Sequence, residues 1–509
     1  MKLREIVERR YVGSAAALIA GMLLTLSFAP LAWWPLAFLM PAVLMWLWQG
    51  ATPRRAAVLG FWFNAGTFAL GTYWIYISTH VVYHAPIPLA LLAMAGLVSI
   101  MGAYHALLGW LVAKYLPGRG AWRWLVGIPS MWLLLEWWRS WFLTGFGWLA
   151  LGYSQTDTWL GSLSPVVGQY GLGFLVLLVA GALMTLLAGN QRERIAAALV
   201  FVVVWSLGFA LRGVEWTQPY SRPITVAVVQ GAIPQDEKWI AENLQSTLDR
   251  YQKLTREAHG AKIIVWPESA IPDIANNHIA YYRDVYADAS AHGSSLVMGT
   301  LRIDVDEKNG NETAYNSVLA MDRSTPGVAW HDKRHLVPFV EFIPVPDFAR
   351  QWLRLMALPY QDFTRGADDQ PPLEAAGQRI AASVCYEDGY GSSQLPALRT
   401  ATLLVNVTND AWFRKSSARY QHLQISRMRS MEAGRPTIRA ANDGVSAVIG
   451  HRGEIITRAP EYEANVMRGE LQPRIGLTPY ARTGNWAVIS LALVLGFASA
   501  YVRRRAGAA

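Results

Sequence analysis

The chain has 509 residues, of which 53% are hydrophobic and only 16% are charged. Soluble proteins average about a quarter charged residues, so this composition argues against a wholly soluble protein and favours a membrane protein. The net charge of +9 does not indicate nucleic-acid binding, because the basic residues lie in short loops beside apolar segments. The only cysteine, Cys385, excludes an intrachain disulfide.

Long apolar segments fill the N-terminal part of the chain, and one more lies near the C-terminus. A transmembrane helix needs about 20 mostly apolar residues. The sequence therefore predicts a polytopic α-helical membrane domain with about eight spans, at 12–30, 33–49, 56–79, 87–113, 122–142, 164–188, 195–212 and 485–502.

The loops between these segments alternate in charge. Connections such as "SFAPLAWWP" and residues 143–163 contain neither Lys nor Arg, whereas the basic segments are the N-terminus, "TPRRA", "AKYLPGRGAWR", "NQRERI" and the C-terminal tail. Basic loops remain on the cytoplasmic side of a membrane. We therefore expect a membrane domain with seven spans over 1–212, an extramembrane domain over 213–484 on the opposite side, and an eighth span with a cytoplasmic tail over 485–509.

The region 213–484 has more charged residues and a different pattern. Short β-branched runs bounded by turn-forming residues predict strands, namely "ITVAVVQ", "KIIVW", "SLVMGT", "NSVLAMD", "RIAASVC", "TLLVNVT" and "SAVIG". Helical spacing of apolar positions predicts helices at "NLQSTLDRYQKLTREA", "HIAYYRDVYADASAHG" and "YQHLQISRMRSMEAGRP". Strands that alternate with helices are typical of a layered α/β domain with its own core.

Three chemically active residues each follow an apolar segment: Glu268, Lys333 and Cys385. Strand ends in α/β folds converge on one crevice, so these side chains are expected to meet there. A thiol attacks a carbonyl group as the thiolate and needs a base, which Glu268 can be, while Lys333 and a backbone N–H after Cys385 can stabilise the oxyanion. Each residue alone also has an ordinary interpretation, because a cysteine can fill a core, a glutamate can cap a helix and a lysine can be solvated.

The segments "WPES", "DKRHLVPFVEF", "VCYE" and "NDAWF" resemble the Glu-Lys-Cys motifs of the nitrilase, or carbon–nitrogen hydrolase, superfamily. The flanking spans, "HLVPFVEFIP", "QHLQISRMRSMEAGRP" and "GLTPYARTGNW" narrow the resemblance to the apolipoprotein N-acyltransferase family over essentially the whole chain. This resemblance implies a nitrilase-like α-β-β-α sandwich outside the membrane. The chain departs from the family at Arg414, where the family usually has glycine after "NDAWF".

The resemblance also implies roles for individual residues. It makes Cys385 the nucleophile that carries an acyl chain as a thioester, Glu268 the general base and Lys333 the group that stabilises the oxyanion. The residues expected to support this triad are Glu341, Tyr386, Glu387 and Asn316. The residues expected to bind substrate are Trp239 at the lipid entry, Phe339, Phe342 and Trp412. Asn316 can also cap a strand turn, and Trp239 can also be a core aromatic.

The activity that the resemblance implies is the last step of bacterial lipoprotein maturation. A fatty acyl chain passes from a glycerophospholipid to the α-amino group of the N-terminal diacylglyceryl-cysteine of an apolipoprotein, by a ping-pong reaction through the Cys385 thioester. The implied location is the bacterial inner membrane with the catalytic domain in the periplasm. We expect a monomer with no metal, no other cofactor and no nucleic-acid partner. The segment 337–363, rich in aromatic residues and proline and containing Arg350 and Arg354, is expected at the lipid interface.

Two alternatives remain open. One is a membrane-tethered amidase or nitrilase that passes the acyl group to water, which release of ammonia from small amides would reveal. The other is a scaffold or transporter with an inactive outer domain, for which paired charges within several spans are expected. Only Glu136 and Arg139, three residues apart and able to pair on one helix face, lie in such a position.

Overall fold

The computed structural model describes residues 10–116, 118, 120–306, 310–325, 327–344 and 362–506. The chain folds into two compact units. The first consists of Met1–Glu215, Lys415–Gln424 and Arg482–Ala509, and the second of Trp216–Arg414 and Ile425–Ala481. The boundaries at Glu215 and Arg482 lie close to the predicted ones, after residues 212 and 484, but the first unit also includes Lys415–Gln424, which was predicted to lie within the extramembrane domain. The assignment of the units to a membrane domain and a periplasmic catalytic domain remains a prediction.

The first unit is helical. Its described residues before 215 form the longer helices α1 (Arg10–Thr25), α2 (Leu36–Leu47), α3 (Pro53–Gly71), α4 (Ile87–Tyr115), α5 (Ile128–Arg139), α6 (Ser164–Ala188) and α7 (Gln191–Leu211). Glycine allows α1 and α3 to approach closely, because a Cβ atom at Gly21 would lie 1.7 Å from the Phe63 carbonyl oxygen. Small residues at helix contacts are typical of packing inside membranes.

Three helices among the described residues are long and apolar enough to cross a membrane: Ile87–Tyr115, Trp159–Ala188 and Gln191–Leu211. Shorter apolar helices cover Tyr11–Thr25, Leu36–Leu47 and Trp486–Val502. All eight predicted segments overlap helical structure, but the number of spans is not confirmed. Two of the predicted spans fall short of the length or the apolar composition that a transmembrane helix needs. Helix α5 has only 12 residues, and α3 contains polar side chains, including Arg54, Arg55 and Asn64.

The predicted pairing of Glu136 with Arg139 is confirmed, with 3.7 Å between Glu136 Oε1 and Arg139 Nη2. Both side chains are buried, and each also binds the main chain that follows α5. Arg139 donates to the carbonyl oxygens of Phe146 and Trp148, both at 2.9 Å, and Glu136 accepts from the Leu151 N–H at 3.1 Å. The pair therefore fixes this loop.

The described residues of the second unit form two six-stranded sheets and one two-stranded sheet. The first large sheet has the order β13-β2-β3-β4-β5-β6, the second has β12-β11-β10-β9-β8-β7, and β1 pairs with β14. Strands β2, β3 and β4 are parallel neighbours, as are β8, β9 and β10. The strands are β1 (Gln218–Pro219), β2 (Ile224–Gln230), β3 (Ile263–Trp266), β4 (Ser295–Val305), β5 (Glu312–Met321), β6 (Ala329–Asp332), β7 (Leu373–Ala375), β8 (Gln378–Val384), β9 (Leu403–Thr408), β10 (Thr437–Ala441), β11 (Ala447–Ile449), β12 (Ile455–Arg458), β13 (Asn465–Leu471) and β14 (Arg474–Ile475).

Successive side chains along each strand point to opposite faces of its sheet, so one set packs between the two sheets and the other packs against helices. In β2, Val226 and Val228 face the core between the two large sheets, whereas Ala227 and Val229 pack toward helices α8 (Leu244–Glu257) and α9 (Ile279–Ala291). On the second large sheet, Ala433 at the end of α10 (Ala418–Ala433) packs with the outer face. The predicted α-β-β-α sandwich is therefore confirmed. The last helix, α11 (Trp486–Ala506), belongs to the first unit.

The predicted strands coincide with β2, β3, β4, β5, β8, β9 and β11, and the three predicted helices coincide with α8, α9 and α10. The sequence did not predict the other seven described strands, which are β1, β6, β7, β10, β12, β13 and β14. Of these, β10 is a central strand that carries a buried arginine, Arg439.

Candidate active site

Glu268 lies just beyond the carboxyl end of β3, in the segment Pro267–Ser269. The neighbouring strand β4 has glycine here, because a Cβ atom at Gly299 would lie 2.5 Å from the Pro267 carbonyl oxygen and 2.6 Å from Glu268 Cα. Ser269 has a φ of +45°, a left-handed conformation that non-glycine residues rarely adopt. The close strand contact and the sharp turn together place a buried carboxylate at the edge of the parallel strands.

The Glu268 carboxylate is held by three groups. Its Oε1 accepts a hydrogen bond from Asn316 Nδ2 at 2.8 Å and lies 3.6 Å from Lys333 Nζ. Its Oε2 accepts from the backbone N–H of Asn409 at 2.9 Å. Two donors and one ammonium group thus compensate the negative charge of a residue that is only 7% exposed.

Lys333 follows β6, and its N–H donates to the Asn316 carbonyl oxygen at 2.8 Å. Its Nζ lies 2.9 Å from Glu341 Oε1, which also accepts from Asn316 Nδ2 at 2.8 Å. Burial disfavours the ammonium form, but the carboxylates of Glu341 and Glu268 outweigh burial and raise the pKa of Lys333 well above its ordinary value. Lys333 therefore supplies a positive charge between two carboxylates.

Cys385 is the first residue after β8 and begins a 3₁₀ turn, Cys385–Gly389, with a φ of +52°. The side chain is half-buried, and the carbonyl oxygen of Cys385 accepts from Asn406 Nδ2 at 3.2 Å. Burial and then the Glu268 carboxylate raise the pKa of the Cys385 thiol, while Lys333 opposes this increase only in part. The thiol is therefore protonated at neutral pH, and the charges of Glu268 and Lys333 both act on it.

Glu387 connects the segment after Lys333 to the end of β8. Its Oε1 accepts from the N–H groups of Arg334 and His335, at 2.7 and 3.1 Å, and its Oε2 accepts from the Val384 N–H at 2.8 Å. The side chain is fully buried, with 1% exposed. Because all three donors are main-chain groups, Glu387 fixes backbone geometry.

Tyr386 belongs to an aromatic group beside this connection. Its hydroxyl oxygen accepts from the Tyr390 hydroxyl at 2.9 Å, and the Tyr390 ring stacks on His335 with 3.5 Å between ring centroids. The structure thus brings together Glu268, Lys333, Cys385 and the four residues predicted to support them. Their catalytic and supporting roles remain predictions.

The four aromatic residues predicted to bind substrate differ in exposure. Trp239 is 50% exposed and Phe339 is 75% exposed, while Phe342 and Trp412 are half-buried. The N–H of Phe339 donates to the Phe342 carbonyl oxygen at 2.7 Å and closes a turn in which Phe339 has a φ of +62°. Their predicted role in binding lipid remains a prediction.

The segment 337–363, predicted to lie at the lipid interface, is described only at its two ends. Residues 345–361, including Arg350 and Arg354, lie outside the described residues. At the near end, the Val337 N–H donates to Glu341 Oε2 at 2.8 Å, which anchors the start of this segment to the candidate active site.

Sequence reasoning missed several residues that hold the site together. Arg439 is fully buried and donates to Asn406 Oδ1 at 2.6 Å and to Asp410 Oδ2 at 2.8 Å. Asn406 in turn binds the main chain of Cys385, and Asn409 binds Glu268. The quoted segment "NDAWF" contained a usable signal, since Asn409 and Asp410 directly follow β9 as the three triad residues follow their strands.

Arg414, the departure from the family pattern, has a φ of +46° and a ψ of −147°. This region is essentially restricted to glycine, so the backbone here is strained. The guanidinium group lies 3.3 Å from Asp236 Oδ2 in a partly exposed ion pair. The turn therefore keeps a glycine-like conformation although its residue is arginine.

Within the described residues, one group has potential metal ligands close together: His259, Asp288 and His292, with atoms within 4.8 Å of one another. It lies at the ends of α8 and α9, and Asp288 already pairs with Arg256 at 3.1 Å. The two imidazole rings stack 3.9 Å apart and nearly parallel. Because a metal binds in the plane of an imidazole ring, parallel stacked rings do not direct their nitrogens at one ion, and we assign no metal site here.

The α-β-β-α sandwich with a glutamate, a lysine and a cysteine at its strand ends is of the carbon–nitrogen hydrolase type, and residues 225–480 match the family model described as "Carbon-nitrogen hydrolase". Residues 20–182 match the model described as "Apolipoprotein N-acyltransferase N-terminal domain". Together the two matches cover most of the chain.

Full-length relatives agree with these matches. Proteins named "Apolipoprotein N-acyltransferase" are 39% identical in Methylococcus capsulatus, covering 96% of each chain, and 37% identical in Nitrosomonas europaea, covering 97% of this chain and 99% of the relative. The chain therefore belongs to the apolipoprotein N-acyltransferase family of acyltransferase enzymes, and the predicted resemblance is confirmed. Among solved structures, Nit3 of Saccharomyces cerevisiae, a nitrilase-superfamily member, matches with a TM-score of 0.37 and 17% identity over 50% of this chain and 91% of that chain, which is too weak to add to the argument.

Proposed function

We propose that this enzyme transfers a fatty acyl chain from a glycerophospholipid to the α-amino group of the N-terminal diacylglyceryl-cysteine of apolipoproteins, through a thioester on Cys385. Family membership supports the N-acyl transfer and the apolipoprotein acceptor. The observation that carries the mechanism is the position of a buried carboxylate, Glu268, 3.6 Å from the Lys333 ammonium group, with the charges of both groups acting on the Cys385 thiol.

In the first half-reaction, Glu268 takes the proton from Cys385 as the sulfur attacks the ester carbonyl of the phospholipid. The C–S bond forms, and the carbonyl oxygen becomes an oxyanion that the ammonium group of Lys333 stabilises. The intermediate collapses by breaking the ester C–O bond. Protonated Glu268 then returns its proton to the departing lysophospholipid oxygen, which leaves an acyl-enzyme.

In the second half-reaction, the neutral α-amine of the acceptor attacks the thioester carbonyl. Glu268 accepts the proton that the nitrogen loses as the C–N bond forms, and the C–S bond breaks to expel the thiolate. The proton on Glu268 then returns to the sulfur. The amide product and the free thiol are restored, as a ping-pong reaction requires.

The two buried carboxylates have different surroundings, which supports different roles. Glu341 is engaged by Lys333, by Asn316 and by the Val337 N–H. Glu268 lies farther from the ammonium group and its charge acts on the thiol. Glu268 therefore suits proton transfer, and Glu341 suits the positioning of Lys333.

We further propose a monomer in the bacterial inner membrane, with eight spans, both termini in the cytoplasm and residues 213–484 in the periplasm. The three long apolar helices and the alternation of basic loops support this topology. A reaction between two lipid-anchored substrates also favours a catalytic domain held at the membrane surface.

The decisive experiment is intact-mass spectrometry of the full-length protein after incubation with phospholipid alone. A mass increase of one fatty acyl chain is expected for the wild type, and none for Cys385→Ala or Glu268→Gln. Glu242→Gln, an exposed glutamate in the same unit, serves as the matched control and should behave as the wild type. Acylation of folded Cys385→Ala would contradict the proposal. In a second incubation that also contains an apolipoprotein acceptor, release of free fatty acid without acylated acceptor would indicate a hydrolase instead.

A further inference from the structure

A second buried lysine, which this mechanism does not use, lies next to the proposed base. Lys238 ends the short helix Gln235–Lys238 and is 0% exposed. Its Nζ donates to the main-chain carbonyl oxygen of Glu268 at 3.3 Å. Lysine is almost never fully buried unless its charge is compensated, so this position calls for a physical explanation.

The charges of the site supply that explanation. Glu268 and Glu341 place two carboxylates around the single ammonium group of Lys333, which leaves an excess of negative charge. Lys238 adds a second buried positive charge. Burial lowers the pKa of Lys238 to about 8, and the carboxylates of Glu268 and Asp443 oppose this decrease. Lys238 is therefore mostly protonated at neutral pH.

The helix that carries Lys238 is also connected to the Glu268 carboxylate. Asn409 donates from its side chain to Gln235 Oε1 at 2.7 Å and from its backbone N–H to Glu268 Oε2 at 2.9 Å. Lys238 binds the main chain of Glu268 immediately before Ser269, the residue with a φ of +45°. The lysine therefore contacts the strained turn that orients the carboxylate.

We propose that Lys238 is a positioning residue for acyl transfer: its ammonium group holds the main chain of Glu268 and favours the ionised, proton-accepting form of the Glu268 carboxylate. This inference rests on the proposed function, in which Glu268 removes the thiol proton. Lys238 acts through Glu268 and contacts no reacting atom.

Other charged groups near Glu268 also influence the protonation of its carboxylate. Lys333 lies at 3.6 Å, Glu341 acts from the far side of Lys333, and Cys385 is the proton donor, while Asp443 acts on Lys238 itself. None of these groups is altered when Lys238 is replaced. A difference between wild type and a Lys238 variant therefore isolates the contribution of this lysine.

The test is the pH profile of acyl-enzyme formation by full-length protein with phospholipid alone, followed by quenching and intact-mass spectrometry. Lys238→Met should move the acid limb to higher pH by about one unit, because removal of a nearby cation disfavours the carboxylate form. The rate on that limb should fall about tenfold and converge with the wild type at high pH. Lys238→Arg, which keeps the charge, should retain the wild-type limb, and Lys253→Met, an exposed lysine on α8, is the matched control.

Equal slowing of Lys238→Met at every pH, or equal loss in the Met and Arg variants, would show a purely structural role and overturn the inference. If Lys238→Met does not fold, Lys238→Gln, which also removes the positive charge, replaces it. The same shift to higher pH is then expected, and an unchanged profile would overturn the inference. Absence of any acyl-enzyme in the wild type would instead overturn the proposed function, and the inference with it.

Discussion

Asn316 offers the most direct test of how the two buried carboxylates are arranged. Its Nδ2 donates to Glu268 Oε1 and to Glu341 Oε1, both at 2.8 Å, and the residue is only 4% exposed. A hydrogen bond to a charged group contributes about 1.5–3 kcal/mol. Asn316→Ala leaves Glu268 only the Asn409 N–H and Lys333, so we expect a barrier about 2 kcal/mol higher and acyl-enzyme formation about thirtyfold slower.

Asn316→Asp keeps the shape of the side chain but places a third carboxylate against the other two. Like charges at this distance destabilise each other, so this variant should be slower than Asn316→Ala. Rates are measured by quenched intact-mass time courses, with thermal unfolding recorded for each variant. Asn277→Ala removes an exposed hydrogen bond that the side-chain amide donates to Asp273, and it should leave the rate unchanged. A folded Asn316→Ala with a rate within about twofold of the wild type would refute the reasoning.

Three further replacements test other features. Gly299→Ala places a methyl group 2.6 Å from Glu268 Cα and should slow acyl-enzyme formation about tenfold or more, whereas Gly213→Ala, with no atom within 4 Å, should not. Burial lowers the pKa of His331 from 6.5 to about 3. The free energy of unfolding therefore falls as the pH drops below 6.5, by about 2 kcal/mol at about pH 5, because the unfolded chain binds a proton that the folded protein does not. His331→Gln should abolish this decrease. Arg414→Gly should raise the free energy of unfolding by about 1 kcal/mol, because relief of backbone strain exceeds the value of an exposed ion pair.

A specific result would contradict each of these three predictions. Unchanged acylation by Gly299→Ala would mean that the strand contact does not set the position of Glu268. An acid-side decrease in melting temperature as steep in His331→Gln as in the wild type would assign that decrease to other groups. A lower melting temperature for Arg414→Gly would show that the ion pair with Asp236 outweighs the strain.

The sequence pattern predicted a layered α/β domain because seven of its strands are short apolar runs with clear ends, whereas the α-β-β-α sandwich was implied by the family resemblance. It failed at β10, where "TIRAA" contains a charged residue and no alternation. Arg439 is tolerated in that central strand because Asn406, its direct neighbour on β9, and Asp410 accept its hydrogen bonds. Such compensation comes from a different segment of the chain and leaves no local pattern.

The same reason limits prediction of the candidate site. Glu268, Lys333 and Cys385 were identifiable because each follows an apolar segment and matches a family motif. Lys238 stands in "QDEKWI", which reads as a solvated turn, and only the fold shows that its ammonium group is buried against Glu268. The local sequence pattern indicates where reactive side chains lie. The neighbouring charges that alter their protonation depend on tertiary contacts, which the local pattern does not show.

The solitary, half-buried sulfur has a practical consequence for anyone who handles this enzyme. A thiol-specific reagent can modify one position per chain, so the stoichiometry of labelling counts competent molecules directly. Bound lipid that occupies the sulfur would protect it from the reagent. Occupancy during turnover could thus be followed on the native polypeptide, without introducing any foreign reporter group.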